Sequence, residues 1–284
     1  MSQEEGIMNQ GPENRKAMME AQDAEIREKL KGFKNKYLVM SGKGGVGKST
    51  IAAYLAVGLA KRGHHVGLMD VDLHGPSIPR LLGLKGNIVS TLASRKGIPL
   101  SFLPNMQVMS IESLLADKDT ATIWRGPLKI GVIKQFISDI EWSNSDYLII
   151  DCPPGTGDEP LTIAQVILDT KAIIVTTPQE ISLADVRKSI NFCHQVNMGV
   201  LGLIENMSGL LCPYCGKTID LFKTDGGAVT AKKAGLTLLG SLPLEPEIVL
   251  EGDNGSVAWM DRKDLPYTKS FNQVVDKVAD LTKK

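Results

Sequence analysis

Residues 41 to 50 read Ser-Gly-Lys-Gly-Gly-Val-Gly-Lys-Ser-Thr, a glycine-rich loop that ends in a lysine and two hydroxyls. Glycines leave room for the backbone to close around an anion and turn successive N–H groups toward it. A helix that starts there adds the positive end of its dipole. In such a loop Lys48 pairs with the β- and γ-phosphate oxygens of a nucleoside triphosphate, and the Ser49 hydroxyl ligates magnesium. Gly42, Lys43, Gly44, Gly45, Val46, Gly47, Lys48, Ser49 and Thr50 are therefore the candidate nucleotide residues. Gly42, Gly44 and Gly47 also satisfy the G-x-G-x-x-G dinucleotide fingerprint, with Asp70 and Asp72 following. Lys48-Ser49 decides for the triphosphate, since a dinucleotide turn uses neither residue. Lys43 is a further lysine that an ordinary phosphate loop does not require.

Two acidic segments are expected to converge on the same phosphates. Asp70-Val71-Asp72 ends an apolar run, and a carboxylate there, Asp72, can orient a water for attack on the γ-phosphate. Tyr147 to Asp151 is an apolar run ending in an acid, the pattern that holds the magnesium shell through Asp151. The Cys152-Pro153-Pro154-Gly155-Thr156-Gly157-Asp158 stretch that follows can sense the γ-phosphate through its mobile glycines. The plainer readings are that Asp70 and Asp72 cap a helix and that the Gly-Pro run is only a turn.

Cys212 and Cys215 flank Pro213 and Tyr214 ahead of Gly216, a turn that brings two sulfurs to one metal. Two thiolates are half of what tetrahedral zinc or an iron–sulfur cluster requires, and a two-fold axis supplies the other half from a second subunit. The residues themselves leave iron–sulfur and zinc open. Cys152 and Cys193 follow apolar or helical patterns and are assigned to packing. His64, His65, His74 and His194 show no ligand spacing and are assigned to the surface.

The elements that must position these residues are legible as alternating apolar runs and helical stretches. Tyr37–Met40, Val66–Met69, Val108–Ser110, Tyr147–Ile150, Ala172–Thr176, Val200–Ile204 and Leu236–Leu239 read as strands, several apolar on both faces. The expected fold is α/β, a doubly wound, mostly parallel sheet flanked by helices, with its ligand site beyond the strands' C-terminal ends. Residues 37–284 form the expected ATPase domain, and residues 1–36 a polar helical extension that frays, with a thin stripe from Met19 through Ile26, Leu30 and Phe33. The C-terminal stripe Phe271, Val274, Val275, Val278, Leu281 is expected to pack on the sheet rather than target a membrane, because few basic residues accompany it.

The chain's 284 residues with 43% hydrophobic composition supply an ample core. Lysine plus arginine equals aspartate plus glutamate, 32 each, so no net field calls for nucleic acid or an anionic membrane. No apolar run approaches a membrane span and the polar start is no signal peptide, so the expected location is the cytoplasm. There, thiols bind metal or stay buried rather than pair.

Lys-Gly-Gly-Val-Gly-Lys-Ser-Thr resembles the deviant phosphate loop shared by the MinD cell-division ATPase, the partitioning ATPases, the nitrogenase iron protein and the arsenite-pump ATPase. Residues 70–79, 124–128, 151–159, 205–208 and 212–216 narrow the resemblance to the Mrp-type, or ApbC-type, ATP-binding iron–sulfur cluster carriers, over about residues 35 to 265. The resemblance implies that Lys43 crosses a homodimer interface to the partner's phosphates, a role worth ~10³ to 10⁵ in rate. It implies that Asn206 reads the adenine edge with the Pro243-Leu244 loop closing over the ring. It also implies a 4Fe–4S cluster bridging the dimer through Cys212 and Cys215 and passing to apo iron–sulfur proteins. A MinD-type positioning ATPase has no use for Cys-x-x-Cys, and the nitrogenase iron protein draws its cysteines from separate loops. Residues 1–36 hold no cysteine, unlike relatives with an additional N-terminal cluster site.

Overall fold

The computed structural model describes residues 12–73, 75–84, 90, 91, 96–114, 126–143, 145–212, 215, 217–220 and 226–283. Its strands in chain order are β1 (Asn35–Met40), β2 (Val66–Asp70), β3 (Ser90–Thr91), β4 (Lys96–Gly97), β5 (Leu100–Leu103), β6 (Met106–Ser110), β7 (Tyr147–Asp151), β8 (Lys171–Thr176), β9 (Gly199–Glu205), β10 (Leu210–Leu211), β11 (Thr218–Ile219) and β12 (Leu238–Ser241). The helices are α1 (Pro12–Leu30), α2 (Lys48–Lys61), α3 (Ile78–Leu81), α4 (Gly126–Asp139), α5 (Asp158–Val166), α6 (Glu180–Gln195), α7 (Gly226–Lys233), α8 (Pro246–Asp253) and α9 (Pro266–Leu281). Eight strands form one sheet in the order β12-β9-β8-β1-β7-β2-β6-β5. All its described pairings are parallel except β5 with β6.

β1 lies in the middle, between β7 and β8, and from Tyr37 to Met40 every side chain is buried. A strand covered on both faces reads as continuous apolar sequence, which is why these strands were legible. On one face the core gathers α2, buried from Ile51 through Ala60, with Trp259 and the α9 residues Phe271, Val274, Val275 and Val278. The C-terminal stripe therefore packs on the sheet. On the other face lie α4, α5 and α6 with Cys152 and Cys193. Among the described residues no helix is long and apolar enough to cross a membrane.

Two expectations change. α1 does not fray at its C-terminal end: Ile26, Leu30 and Phe33 are buried in the second core, and the Phe33 ring meets Trp142 edge-on at 5.7 Å. The same ring covers Gly67 of β2, where an added Cβ would sit 2.9 Å from it. Met19, further up the helix, stays exposed. The last strand is Leu238–Ser241 rather than Leu236–Leu239, because α7 continues into a left-handed cap. Gly235 takes φ +66° there, and the Leu236 N–H donates to the Ala231 carbonyl at 2.9 Å, which claims Leu236 for the helix end.

If α1 belongs to the core, Ile26→Ala should cost about 2–5 kcal/mol in urea unfolding. Met19→Ala should stay within about 0.5 kcal/mol. Equal midpoints for the two variants would show a detachable helix.

Candidate functional site

β1 ends at Met40, and the chain turns into the glycine loop above the sheet's C-terminal edge. Gly45 and Gly47 take φ of +78° and +83°, a region that side chains with a Cβ avoid. At Gly47 an added Cβ would also lie 2.4 Å from Asn206 Nδ2. α2 begins on Gly47 as its N-cap, so its first unpaired N–H groups face the loop. A cavity of about 330 Å³ opens over them, lined by Lys43, Gly44, Gly45, Gly47, Lys48, Ser49, Thr50, Asp72 and Pro154 among others. Gly42 and Val46 are not among the lining residues. Gly42 backs onto Asp185 of α6, whose Cβ would lie 2.4 Å from an added one, and the Val46 side chain is buried in the core.

Beneath the cavity three charged groups are buried together. Lys48 Nζ donates to Asp151 Oδ1 at 2.6 Å and to Ser49 Oγ at 3.1 Å. Asp70 stands in register beside Asp151 on the neighbouring strand. Its oxygens accept the Asp72 N–H at 3.1 Å, the Ser110 hydroxyl at 3.2 Å and the Ile78 N–H at 3.4 Å. Burial pushes the Asp70 carboxyl up to about 8, and the Asp151 charge adds to this against the Asp72 N–H and Lys48. Burial raises Asp151 as well, while Lys48 pulls it back. Burial thus works against a full charge on both carboxylates, and Lys48 is the cation beside them. Asp151 Oδ2 is buried without a hydrogen-bond partner among the described residues. A buried carboxylate oxygen without a donor, near a serine hydroxyl, is the ligand chemistry of a hard divalent cation, so Ser49 and Asp151 fit magnesium.

Asp72 sits at the cavity wall, mostly buried, and its Oδ1 accepts the Gly75 N–H at 3.2 Å. His74, next to it, lies outside the described residues, as do Trp124 and Arg125 of the 124–128 motif. The segment after β7 reaches back to the loop, where the Gly155 N–H donates to the Ser41 carbonyl at 2.7 Å. Lys43 Nζ donates to Gln179 Oε1 at 3.0 Å. Sequence reasoning passed over Gln179, although it follows the C-terminal end of β8, where ligand residues of a parallel sheet collect.

Asn206 fastens β9 to the loop: its N–H donates to the Thr176 carbonyl at 2.7 Å and its Nδ2 to the Val46 carbonyl at 3.0 Å. The neighbouring Glu205 is buried, accepting the Ser208 hydroxyl at 2.7 Å and the N–H of Gly227 in the first turn of α7. Ser208 N–H donates to Leu242 and Leu244 N–H to Gly209, so the Pro243 loop is pinned against the same segment at 2.8 and 2.7 Å.

That segment runs directly into β10. β10 and β11 form an antiparallel ribbon, and the Cys212 N–H donates to the Lys217 carbonyl at 2.9 Å across its tip. Cys212 is half-buried and Cys215 exposed, while Pro213, Tyr214 and Gly216 lie outside the described residues. Among the described residues no group of three or more His, Cys, Asp or Glu is placed to hold a metal ion. Cys152 and Cys193 are elsewhere, in the core; burial holds the Cys152 thiol far above its ordinary range and pushes Cys193 up to about 12. Neither offers a thiolate near neutral pH. His65 and His194 are exposed and His64 is half-buried.

Compared with known proteins, residues 32–279 match the model of the NUBPL iron-transfer P-loop NTPases. The chain belongs to this family. It is 45% identical over 267 residues to an iron-sulfur cluster carrier protein of Methanocaldococcus jannaschii, covering 93% of this chain and 91% of that one. A carrier protein of the same description from Saccharolobus solfataricus is 44% identical over 265 residues, 93% of this chain and 89% of that one. Among solved structures, a nucleotide-binding protein of Archaeoglobus fulgidus in complex with ADP superposes with a TM-score of 0.74 at 38% identity, over 87% of this chain and 95% of that one. The iron-transfer NTPase assignment agrees with the doubly wound sheet and the glycine loop.

Lys48 is the cation that keeps the buried pair in place. Lys48→Met should therefore cost about 3 kcal/mol or more of stability, because Asp151 is left buried without its partner. Lys48→Met with Asp151→Asn should recover most of that in denaturant unfolding. A single variant as stable as the parent would show that the ion pair does not bear on folding.

Proposed function

We propose that this iron-transfer NTPase is a homodimeric, slowly ATP-hydrolysing carrier of a 4Fe–4S cluster, which it passes to apo iron–sulfur proteins in the cytoplasm. The observation that carries this reading is the ribbon. Two accessible cysteines sit at its tip, and the ribbon continues from the segment that Asn206 ties to the nucleotide loop. Two thiolates and a two-fold axis make the four that a cluster needs. The carrier relatives point to iron–sulfur over zinc.

On this reading the loop Gly42–Thr50 holds ATP. The backbone N–H groups and the α2 terminus bind its phosphates, and Lys48 leaves Asp151 for the β- and γ-oxygens. Ser49 and Asp151 would hold magnesium, which supplies charge neutralisation at the phosphates when bound. Asn206, with Nδ2 committed to Val46, offers Oδ1 as an acceptor matched to the adenine amino group, and the Pro243 loop closes the base site. Asp72 orients a water in line with the γ-phosphorus and takes its proton, as the bond to the β-phosphate oxygen breaks and ADP leaves. Lys43 exchanges Gln179 for the phosphates of the partner's nucleotide. ATP and cluster then act on one dimer, and each biases the other's affinity where their preferred dimer geometries differ.

Anaerobic reconstitution with iron and sulfide should give visible absorption and four irons per dimer, lost in Cys212→Ala. A colourless protein with one zinc per dimer would overturn the carrier reading. Lys43→Ala should keep nucleotide affinity within a few-fold and lose hydrolysis by ~10³ or more, as measured by phosphate release. Unchanged turnover would remove Lys43 from the reaction.

A further inference from the structure

A groove of about 730 Å³ runs between α6 and α7, on the flank of the site and outside it. Leu183, Arg187, Ile190 and His194 line one wall, spaced as one face of a helix over three turns, or about 16 Å of rise. Val229 and Lys233 stand opposite on α7, with Val229 about half exposed. Leu183, Ile190 and Val229 are the apolar part of its lining. Arg187, His194 and Lys233 line it against a single carboxylate, Glu180. A lining that follows one helix face over this rise suits an elongated occupant better than a compact small molecule. Its charge favours an acidic one.

The two walls connect to the two halves of the site. α6 starts at Gln179, which holds Lys43, and its Asp185 backs onto Gly42. The first turn of α7 is held by Glu205, next to Asn206 and ahead of the cysteine ribbon. An occupant that spreads or tightens α6 against α7 therefore acts on the nucleotide loop through one wall and on the ribbon's root through the other.

We infer that the α6–α7 groove is the docking site for an amphipathic acidic helix of the recipient apoprotein. This inference rests on the carrier reading for the identity of the partner, and its test separates the two. The probe is a net-negative apo-ferredoxin with a 4Fe–4S site, labelled for fluorescence anisotropy and titrated with the full-length protein at low and high salt. Parent protein should bind it with marked salt dependence. Arg187→Glu with Lys233→Glu should weaken binding about tenfold or more and flatten the salt dependence. Arg187→Lys with Lys233→Arg should restore it. Nucleotide affinity and cluster loading of both variants should match the parent, which excludes misfolding. Cluster transfer to the apo-ferredoxin should slow in the reversed variant, while cluster loss to a small chelator stays unchanged.

Binding and transfer indifferent to charge reversal overturn the docking site and leave the carrier reading standing. Salt-dependent binding at the groove by a protein that loads no cluster overturns the carrier reading instead. A reversed variant that becomes monomeric, measured by sedimentation, would make the groove a subunit interface and also overturn the inference.

Discussion

The buried contact between Lys48 and Asp151 is the constraint on which the rest depends. Both charges lie almost wholly out of water, with a third ionisable group, Asp70, beside them. Burial of that kind is tolerated only where hydrogen bonds and opposite charge compensate it. Here the compensation comes from several elements at once: the Asp72 and Ile78 N–H groups, the Ser110 hydroxyl and the start of α2. The central strands must therefore end level with one another, and Asp70 and Asp151 do stand in register. A phosphate-binding loop above such a floor holds its lysine in a low-dielectric site where charge interactions are strong, ready to exchange one anionic partner for another.

From that floor the structure extends outward through backbone contacts. Gly155 reaches Ser41, Asn206 reaches Val46, and Gly47 stands where only a residue without Cβ leaves room for the Asn206 amide. Gly47 and Asn206 are thus packed closely enough that no side chain fits between them. Asn206 is in turn preceded and followed by residues whose bonds, Glu205–Gly227 and Gly209–Leu244, lie at the base of the cysteine ribbon. The coupling in the proposed function would have a contiguous set of hydrogen bonds to act through, most of them joining segments far apart in the sequence.

Much of this was legible in the sequence where one physical demand selected residue type. Buried parallel strands must be apolar on both faces, and the runs at Val66, Tyr147 and Ala172 are so. Anion loops need glycine and a lysine, and Lys43 to Thr50 carry both. Contacts made through tertiary geometry were not legible. Gln179 is an ordinary polar residue until Lys43 is placed against it, and Glu205 looks like a strand-end carboxylate until α7 arrives. α1 was misread because its buried residues Ile26, Leu30 and Phe33 occupy only its last turns and the linker, while the rest of the helix is polar and Met19 exposed. An average over such a helix hides the part that packs. Leu236 was misassigned because a helix cap and a strand start want the same apolar side chain, and only the left-handed Gly235 distinguishes them.

On the proposed reading, the cysteine ribbon ties oligomeric state to function. A single chain could complete a four-thiolate site only with both Cys152 and Cys193, and these are locked in the core with thiols raised above neutral pH. Recruiting them would expose core surface and cost several kilocalories per mole, on the order of a large cavity in a packed interior. Closing the site with a second ribbon costs only association, and the proposed trans role of Lys43 requires the same association. On the proposed reading, a two-fold axis that serves both must pass on the C-terminal side of the sheet, where the glycine loop and the root of the ribbon both lie. The symmetry that completes the metal site then also sets how Lys43 faces the second nucleotide, so a change in one contact necessarily moves the other.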